Sequence, residues 1–366
     1  MKILADKYLY KLNNFLPENV HLYLFDPSDG LPVDVCEYDS LLIRTVTRIN
    51  SSTLPERGRL QFIGTATAGY DHVDHEYLNK IGIHFATSAG CNANAVGLYV
   101  ATVLLRWSDV RNHNLRELKV GIVGCGHTGS SVRSHLESLG VKVVCYDPPK
   151  EMREPEFRSV DTDELLKCDI LTFHTPLTYG ENEKYPTRYI CSHEWLRSRF
   201  KMIINAARGE VVDENALISA KQEGSVEDYI LDVWEGEPVF SDSIAQNAFI
   251  ATPHIAGYSI ESKLRASEIV VQQMLRFFQL EVDGIIIQDE KNNEKQDLDN
   301  SSVSVNRMAS LCKEFEIKEL SGRLWELSNI EYYDRELMGL CGLSDHVKAK
   351  SFATLRSETK LRSEVI

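Results

Sequence analysis

Lys119-Val-Gly-Ile-Val-Gly-Cys-Gly-His-Thr-Gly129 joins a short apolar run to a glycine-rich turn. The run, Val120 to Val123, is typical of a strand buried in a parallel sheet. The turn has the pattern GxGxxG. Behind it, apolar residues recur at helical spacing up to a glycine that can end a helix: Val132, Leu136, Leu139 and Gly140. A second apolar run over 141–146 then ends at Asp147. Strand, glycine turn, helix, strand and acid in this order predict a dinucleotide-binding unit.

Each part of this unit has a physical reason. Gly124 permits the tight turn, Gly126 lets the backbone approach a pyrophosphate, and Gly129 lets the helix pack closely on the strand. The phosphates would meet free N–H groups at the helix start, at His127 and Thr128. The alternative is a glycine turn that binds nothing.

Asp147 predicts the cofactor. Its carboxylate can accept hydrogen bonds from the adenosine ribose hydroxyls, and it would repel the 2′-phosphate of NADP. The only cation nearby is Lys150, which is too weak an indication to reverse the preference. The sequence therefore favours NAD.

Length and composition restrict the class of protein. A chain of 366 residues should hold two or three domains, and 43% hydrophobic with 26% charged residues is ordinary for a soluble protein. No apolar run is long enough to span a membrane, and the N-terminus lacks the apolar core of a secretion signal. We expect no membrane association.

Cysteine spacing and charge exclude further classes. The eight cysteines are scattered without zinc-ligand spacing, so we expect no metal and a reducing cytoplasm. A net charge of −14 argues against general binding of nucleic acid, since phosphate backbones need a basic face.

The first 90 residues alternate apolar strands with polar or helical stretches, which predicts a parallel α/β domain. The predicted strands are Lys2–Ala5, His21–Phe25, Leu41–Arg44, Gln61–Gly64 and Ile83–Ala86. A long helix from Asn92 to Trp107 should lead into the nucleotide-binding domain.

Four further strands bring the nucleotide-binding sheet to six, the number in a full doubly wound dinucleotide sheet. They are Ile170–Phe173, Met202–Asn205, Tyr229–Val233 and Phe249–Ala251. A helix over 260–280, with an apolar face of Leu264, Ile269, Val270, Met274 and Phe277, should return to the first domain.

The remaining segments complete the predicted organisation. Residues 179–189 should form an exposed loop, and the polar stretch 288–304 a linker or mobile loop. The predicted parts are a substrate domain over 1–91, an NAD-binding domain over 92–256, a return helix over 257–285 and a C-terminal association module over 286–366.

Three later strands each lead to a polar residue of a catalytic type: Arg208, Glu237 and His254. Ligands of open parallel sheets bind outside the carboxyl ends of the strands, so these residues should converge near the nicotinamide. Taken singly, such an arginine is usually a surface ion pair and such a histidine is often structural.

The chain resembles the D-2-hydroxyacid dehydrogenase superfamily in VGIVGCGHTG, the acid of YDPP, INAARGEVVDE, LDVWEGEP and TPHIAG. Within it, RTVTRIN, GTATAGYDHVD, GCNANAV, LTFHTPLT and HIAGYS resemble the 4-phosphoerythronate dehydrogenase branch. The resemblance implies a doubly wound Rossmann NAD-binding domain inserted in a discontinuous flavodoxin-like substrate domain, with a small C-terminal dimerisation module. It also implies NAD-dependent oxidation of 4-phospho-D-erythronate in pyridoxal 5′-phosphate biosynthesis.

The resemblance also implies roles for individual residues. His254 would be the general base for the substrate hydroxyl, Glu237 would orient it, and Arg208 would clamp the substrate carboxylate. Further cofactor positions are Thr175, Ala206, Arg208, Asp232 and Gly257. Substrate positions are Thr45, Thr67, Ala68, Gly69 and Tyr258.

A phosphorylated substrate needs a second anion site. We expect Arg44, helped by Thr45, to hold the phosphate, with a surface ion pair as the alternative. In the C-terminal module, the helically spaced Leu320, Leu324 and Leu327 need a partner surface, which predicts a homodimer. Cys91, His72 and His174 are interpreted as structural residues.

Two other functions remain open. One is a dehydrogenase for another D-2-hydroxy acid, such as glycerate or 3-phosphoglycerate. The other is a non-catalytic NAD-sensing protein like the corepressors built on this fold, because a fold alone does not determine function.

Overall fold

The structure, a computed structural model, describes residues 1–180, 184–280 and 305–364. The chain divides into two compact units. The first comprises Met1–Asn92 and Ser259–Asp299, and the second comprises Ala93–Tyr258 and Asn300–Ile366. The predicted linker over 288–304 lies outside the described residues.

The first unit is built on a five-stranded parallel sheet of order β2-β1-β3-β4-β5, which is the flavodoxin-like order. Its strands are β1 (Lys2–Asp6), β2 (His21–Phe25), β3 (Ser40–Ile43), β4 (Phe62–Thr65) and β5 (His84–Thr87). Each strand end lies within one residue of its predicted position, because short apolar runs bounded by polar turns mark strands clearly. The carboxyl ends of β3, β4 and β5 are in register at Ile43, Thr65 and Thr87.

Helices α1 (His75–Lys80) and α9 (Ile260–Phe277) belong to the same unit. Val270 and Met274 of α9 are buried in one cluster with residues of β1, β3 and β4. A Cβ on Gly64 would lie 2.3 Å from Cγ2 of Val270, so this close approach requires a glycine in β4. The predicted apolar face is only partly correct, since Phe277 is 38% exposed and stacks on His84 at the edge of the contact.

The second unit carries a six-stranded parallel sheet of order β11-β10-β9-β8-β6-β7. Its strands are β6 (Lys119–Val123), β7 (Lys142–Tyr146), β8 (Ile170–Phe173), β9 (Phe200–Asn205), β10 (Val226–Leu231) and β11 (Ile250–Ala251). β6 pairs with β7 on one side and β8 on the other, so the strand order reverses at β6. The glycine-rich turn therefore lies at the topological switch point, where doubly wound sheets bind ligands.

The described residues between 93 and 258 form seven α-helices: α2 (Ala93–Arg111), α3 (His127–Ser138), α4 (Pro148–Arg153), α5 (Thr162–Leu165), α6 (His193–Leu196), α7 (Glu214–Glu223) and α8 (Asp242–Asn247). In α2, 15 of 19 residues are buried, which identifies a core helix rather than a surface helix. A Cβ on Gly97 would lie 2.5 Å from Nδ1 of His135, so α2 and α3 cross closely at this glycine.

The C-terminal segment belongs to the second unit and packs on its residues 93–258. It consists of α10 (305–314), α11 (Ile317–Ser328), α12 (Ile330–Met338) and α13 (Asp345–Ser357). Leu320 and Leu324 are buried in the same cluster as α2, whereas Leu327 is 63% exposed. Two of the three leucines that predicted an association surface thus find their partner within the chain.

Asp334 of α12 joins this segment to the sheet. Its Oδ1 accepts a hydrogen bond of 2.7 Å from the backbone N–H of Ala251 in the edge strand β11. Because an unpaired sheet edge is open to association, this contact protects β11. No helix within the described ranges is both long and apolar enough to cross a bilayer.

Candidate active site

The glycine-rich turn has the geometry that its sequence predicts. Gly124 is left-handed with φ +87°, and a Cβ there would lie 2.7 Å from Cγ2 of Thr175. A Cβ on Gly129 would lie 1.9 Å from the carbonyl oxygen of Gly124, so only glycine permits this close approach of α3 to the turn. Nothing within 4 Å would meet a Cβ on Gly126. The turn is closed on its protein side and open above Gly126.

Asp147 lies directly beside this turn. One of its carboxylate oxygens accepts from the N–H of Cys125 at 2.8 Å, and the other accepts from the N–H of Lys150 at 2.9 Å as the N-cap of α4. The Lys150 ammonium donates to the carbonyl oxygen of Cys125 at 2.8 Å. These bonds fix the carboxylate at the carboxyl end of β7, next to the predicted pyrophosphate site.

These residues fit a bound dinucleotide. The Thr175 hydroxyl is buried at the end of β8 and has no hydrogen-bond partner within the described residues. His127 and Thr128 supply the first N–H groups of α3, which begins at the open side of the turn. The turn, the helix start and Thr175 would hold the pyrophosphate, and Asp147 would hold the adenosine ribose.

Arg208, Glu237 and His254 follow three neighbouring strands. β9, β10 and β11 are adjacent, and their ends are in register at Asn205, Leu231 and Ala251. The structure therefore brings all three predicted catalytic residues to one edge of the sheet, as parallel pairing requires.

Glu237 and His254 form a direct pair. Nδ1 of His254 lies 2.8 Å from Oε1 and 3.1 Å from Oε2 of Glu237. Burial would raise the pKa of Glu237, but the charges of His254 and Arg356 together hold that pKa below its usual value. An ionised Glu237 accepts the hydrogen of Nδ1, which leaves Nε2 as the ring nitrogen that can take a proton.

The backbone around His254 is held in an unusual conformation. His254 has φ +58°, in the left-handed region that costs a non-glycine residue about 1–3 kcal/mol. The carboxylate of Asp232 accepts from the N–H groups of Ile255 and Ala256, each at 2.8 Å, and from the Thr252 hydroxyl. Asp232 is 1% exposed, and these hydrogen bonds position the segment that carries His254. Its predicted role at the cofactor stays a prediction.

The other predicted residues of the second unit lie in the segments that follow β8, β9 and β11. Asn205 donates to the carbonyl oxygen of Arg208 at 2.8 Å, and Nη1 of Arg208 donates to the carbonyl oxygen of Ala207 at 2.7 Å. Ala206 and Gly257 are half-buried. His174 is buried with Nε2 2.9 Å from the Thr172 hydroxyl, and burial lowers its pKa to about 3, so it is a neutral structural residue.

In the first unit, the predicted substrate residues Thr67, Ala68 and Gly69 follow β4. The Thr67 hydroxyl lies 2.7 Å from the Thr65 hydroxyl and donates to the carbonyl oxygen of Gly69 at 2.7 Å. Nε2 of His72 lies 3.0 Å from the Thr65 hydroxyl, in agreement with a structural histidine. Thr67, Ala68 and Gly69 are half-buried, so the turn is internally tied and still accessible.

The predicted phosphate residues follow β3 in the same unit. Arg44 makes a two-pronged ion pair with Asp6, with Nε to Oδ2 at 2.8 Å and Nη2 to Oδ1 at 3.2 Å. Thr45 is exposed. The ion pair considered as the alternative for Arg44 is thus formed, and the phosphate role stays a prediction.

Comparison with known proteins decides the family. The NAD-binding-domain model of the D-isomer specific 2-hydroxyacid dehydrogenases matches residues 101–256. Erythronate-4-phosphate dehydrogenase of Bacteroides thetaiotaomicron is 39% identical over 249 residues, which are 67% of this chain and 71% of that protein. The Escherichia coli O1:K1 / APEC protein of the same name is 42% identical over 257 residues, 69% of this chain and 67% of that protein. The chain belongs to the erythronate-4-phosphate dehydrogenase family.

Solved structures agree with this family. An NAD⁺-bound 3-phosphoglycerate dehydrogenase of Entamoeba histolytica matches with a TM-score of 0.63 and 25% identity, over 79% of this chain and 98% of that one. The predicted fold class and the predicted cofactor, NAD, are both confirmed. The protein is therefore an NAD-dependent dehydrogenase of the 2-hydroxyacid type.

Sequence analysis missed two arginines that this family member places around His254. Arg362 is buried and donates to the carbonyl oxygens of Ile255, Ala256 and Ala95. Arg356 pairs with Glu237. Lys348, Phe352 and Arg356 recur at four-residue spacing, which places them on one face of a helix. Two of the three side chains are charged, so the sequence does not indicate that this face is buried.

Proposed function

We propose that this chain oxidises 4-phospho-D-erythronate at C2 to (R)-3-hydroxy-2-oxo-4-phosphooxybutanoate, a step of pyridoxal 5′-phosphate biosynthesis. Relatives at 39% and 42% identity carry the name of this activity. The observation that carries the proposal is the His254–Glu237 pair at 2.8 Å, which follows strands of the same parallel sheet as the dinucleotide turn. A histidine oriented by a carboxylate is the arrangement that general base catalysis at a hydroxyl requires.

The proton of the substrate hydroxyl passes to Nε2 of His254. Glu237 keeps Nδ1 protonated and stabilises the imidazolium that forms. The hydride leaving C2 is taken up by bound NAD, which is the chemistry that the cofactor supplies. In the reverse direction, the imidazolium returns its proton to the carbonyl oxygen of the 2-oxo acid.

Two arginines would bind the charged ends of the substrate. Arg208, with its planar fork, would hold the carboxylate and polarise the oxygen that becomes a ketone. In the first unit, the backbone N–H groups of residues 65–69 would bind a carboxylate. Arg44, with Thr45, would hold the phosphate. The carboxylate assignments follow the family resemblance, the Arg44 assignment follows from its position at the end of β3, and substitution of each residue tests them.

A substrate panel tests the proposal. Purified protein is assayed by nicotinamide absorbance with 4-phospho-D-erythronate, D-erythronate, D-glycerate and 3-phospho-D-glycerate, each with NAD and NADP. We expect the highest kcat/KM with 4-phospho-D-erythronate and NAD, and turnover reduced roughly 10²–10⁴-fold in a His254→Ala control. A preference for 3-phospho-D-glycerate or for D-glycerate would assign the chain to another 2-hydroxy acid. NAD binding without turnover of any acid would favour the sensor hypothesis.

We also propose a cytoplasmic homodimer associated through the C-terminal segment. Large apolar side chains of this segment remain exposed: Leu327, Tyr332, Leu343 and Val347. All eight cysteines lie in the described ranges as free thiols, as a reducing compartment permits. Light scattering after size exclusion should show dimers for the native chain and monomers for Leu327→Glu/Val347→Glu. Val33→Glu, at an exposed apolar residue of the first unit, is the matched control.

A further inference from the structure

Glu237 contacts the imidazole of His254 and the guanidinium of Arg356. Its Oε1 is 2.8 Å from Nδ1 of His254 and 3.4 Å from Nη1 of Arg356. Arg356 belongs to α13, far beyond residue 256 where the match to the NAD-binding domain ends. The carboxylate that orients the catalytic histidine therefore has a second contact, from a helix outside the matched domain.

One face of α13 contacts the segment that carries Glu237. Lys348, Phe352 and Arg356 follow one another at intervals of four residues, so they share a face of the helix. The Lys348 ammonium donates to the carbonyl oxygen of Phe240 at 3.2 Å, and the rings of Phe352 and Phe240 lie 6.0 Å apart. Phe352 is 1% exposed. This packed face fixes the position from which Arg356 reaches Glu237.

We propose that Arg356 is a positioning residue, which holds the carboxylate of Glu237 in the orientation that receives Nδ1–H of His254. The inference rests on the proposed function, since it takes His254 as the base. A carboxylate with two partners on one oxygen has less freedom to rotate than one with a single partner. The half-buried ion pair, with side chains 25% and 19% exposed, is screened less than a surface pair.

The charges around the pair determine the sign of the effect. Glu237 faces His254 and Arg356, and the buried Asp232 also interacts with His254. The Tyr258 ring centre lies 5.7 Å from the Arg356 guanidinium carbon. Arg356 is thus the cation that competes with a protonated His254 for Glu237. Without it, the charged imidazolium is favoured and the base form appears only at higher pH.

The test compares Arg356→Met, which removes the charge, with Arg356→Lys, which keeps it. Lys350→Met is the control, because Lys350 is exposed on the same helix. The ring of His254 is titrated by ¹H–¹³C NMR, with its resonance assigned by its loss in His254→Ala. In parallel, kcat and KM are measured across pH with the best substrate of the panel. Circular dichroism establishes that each variant is folded.

In Arg356→Met, we expect His254 to titrate about half a pH unit or more above the native protein. We expect kcat at neutral pH to fall about tenfold, with KM for the substrate nearly unchanged. Arg356→Lys should recover most of the native titration, and Lys350→Met should match the native protein in both measurements.

An unchanged His254 titration in folded Arg356→Met would overturn the inference. A rise in KM for phosphorylated substrate alone, with native kcat, would also overturn it and make Arg356 a phosphate ligand. Failure of the proposed function is distinguishable, because the native protein would then oxidise no acid of the panel while the NMR titration still reports on Arg356.

Discussion

Both carboxylate oxygens of Asp6 accept hydrogen bonds from the guanidinium of Arg44, at 2.8 Å and 3.2 Å. The Asp6 side chain is fully buried, whereas that of Arg44 is 31% exposed. Asp6 therefore anchors a cation whose outer part still meets solvent at the end of β3. Burial lowers the pKa of the Lys263 ammonium in α9, and repulsion by the guanidinium of Arg44 lowers that pKa further. Two neighbouring cations are an arrangement that an anion would stabilise.

The first prediction concerns the phosphate of the substrate. Arg44→Met should raise KM for the phosphorylated acid roughly 10- to 100-fold, because a hydrogen bond to a charged group contributes about 1.5–3 kcal/mol. The unphosphorylated acid should be almost unaffected. Steady-state kinetics with 4-phospho-D-erythronate and D-erythronate measure the difference.

The control for this substitution follows from Asp6. Removing Arg44 leaves a buried carboxylate without its cation, which itself destabilises the fold. Asp6→Asn/Arg44→Met removes that penalty, and the asparagine oxygen can still accept from the N–H of Tyr8. If the double variant recovers both stability and phosphorylated-substrate binding, Arg44 is purely structural.

The second prediction concerns the choice between NAD and NADP. Asp147→Asn removes the negative charge but keeps an oxygen that can cap α4. Native protein should bind NADP at least tenfold more weakly than NAD, and the variant should lose most of this discrimination. Fluorescence titration with both nucleotides measures it. Asp161→Asn, the same change at the N-cap of α5, should leave discrimination intact. Equal native affinities for the two nucleotides would contradict the role of Asp147.

The sequence was sufficient for features that depend on local patterns. Buried strands are short apolar runs, and the order of strands and glycines determines where the switch point lies, so the sequence alone places Gly124 and Asp147 there. The sequence also predicted that Arg208, Glu237 and His254 lie at one edge of the sheet, because neighbouring parallel strands end there.

Contacts between distant segments could not be predicted in the same way. The spacing of Leu320 and Leu324 indicates a covered face but not what covers it, and the structure shows that α2 does so within the same chain. Arg356 and Arg362 reach the His254 segment only because the C-terminal segment packs on residues 93–258 within the second unit. No local pattern encodes that packing.

The third prediction concerns proton transfer. General acid–base groups contribute typically 10²–10⁴-fold, so His254→Ala should lose roughly that factor in kcat. Glu237→Gln, which cannot stabilise the imidazolium by charge, should lose a smaller part of it. NAD affinity, measured by nucleotide fluorescence, should survive in both variants because the glycine turn is untouched. Near-native turnover in His254→Ala would refute the assignment of the base.

The last prediction concerns stability and pH. Glu214, at the start of α7, is 4% exposed, and burial raises its pKa to about 7 although it accepts from the N–H of Glu235 at 2.8 Å. The unfolded carboxyl titrates near its ordinary value of 4.5, so between these pH values the folded state holds a proton that the unfolded state has lost. The free energy of unfolding must therefore fall as pH rises through this window.

Glu214→Gln isolates this effect, because the amide stays neutral and its oxygen can still accept from Glu235. Relative to the variant, the native protein should lose about 3 kcal/mol of stability between pH 4.5 and pH 7, at roughly 1.4 kcal/mol per pH unit, and change little above. Urea unfolding at several pH values measures both proteins, and Glu194→Gln, at an exposed first-turn position of α6, is the control. Asp334, whose pKa burial raises to about 6, is common to all three proteins and cancels in the difference. Parallel stability profiles for native protein and Glu214→Gln would mean that Glu214 is ionised in the folded state.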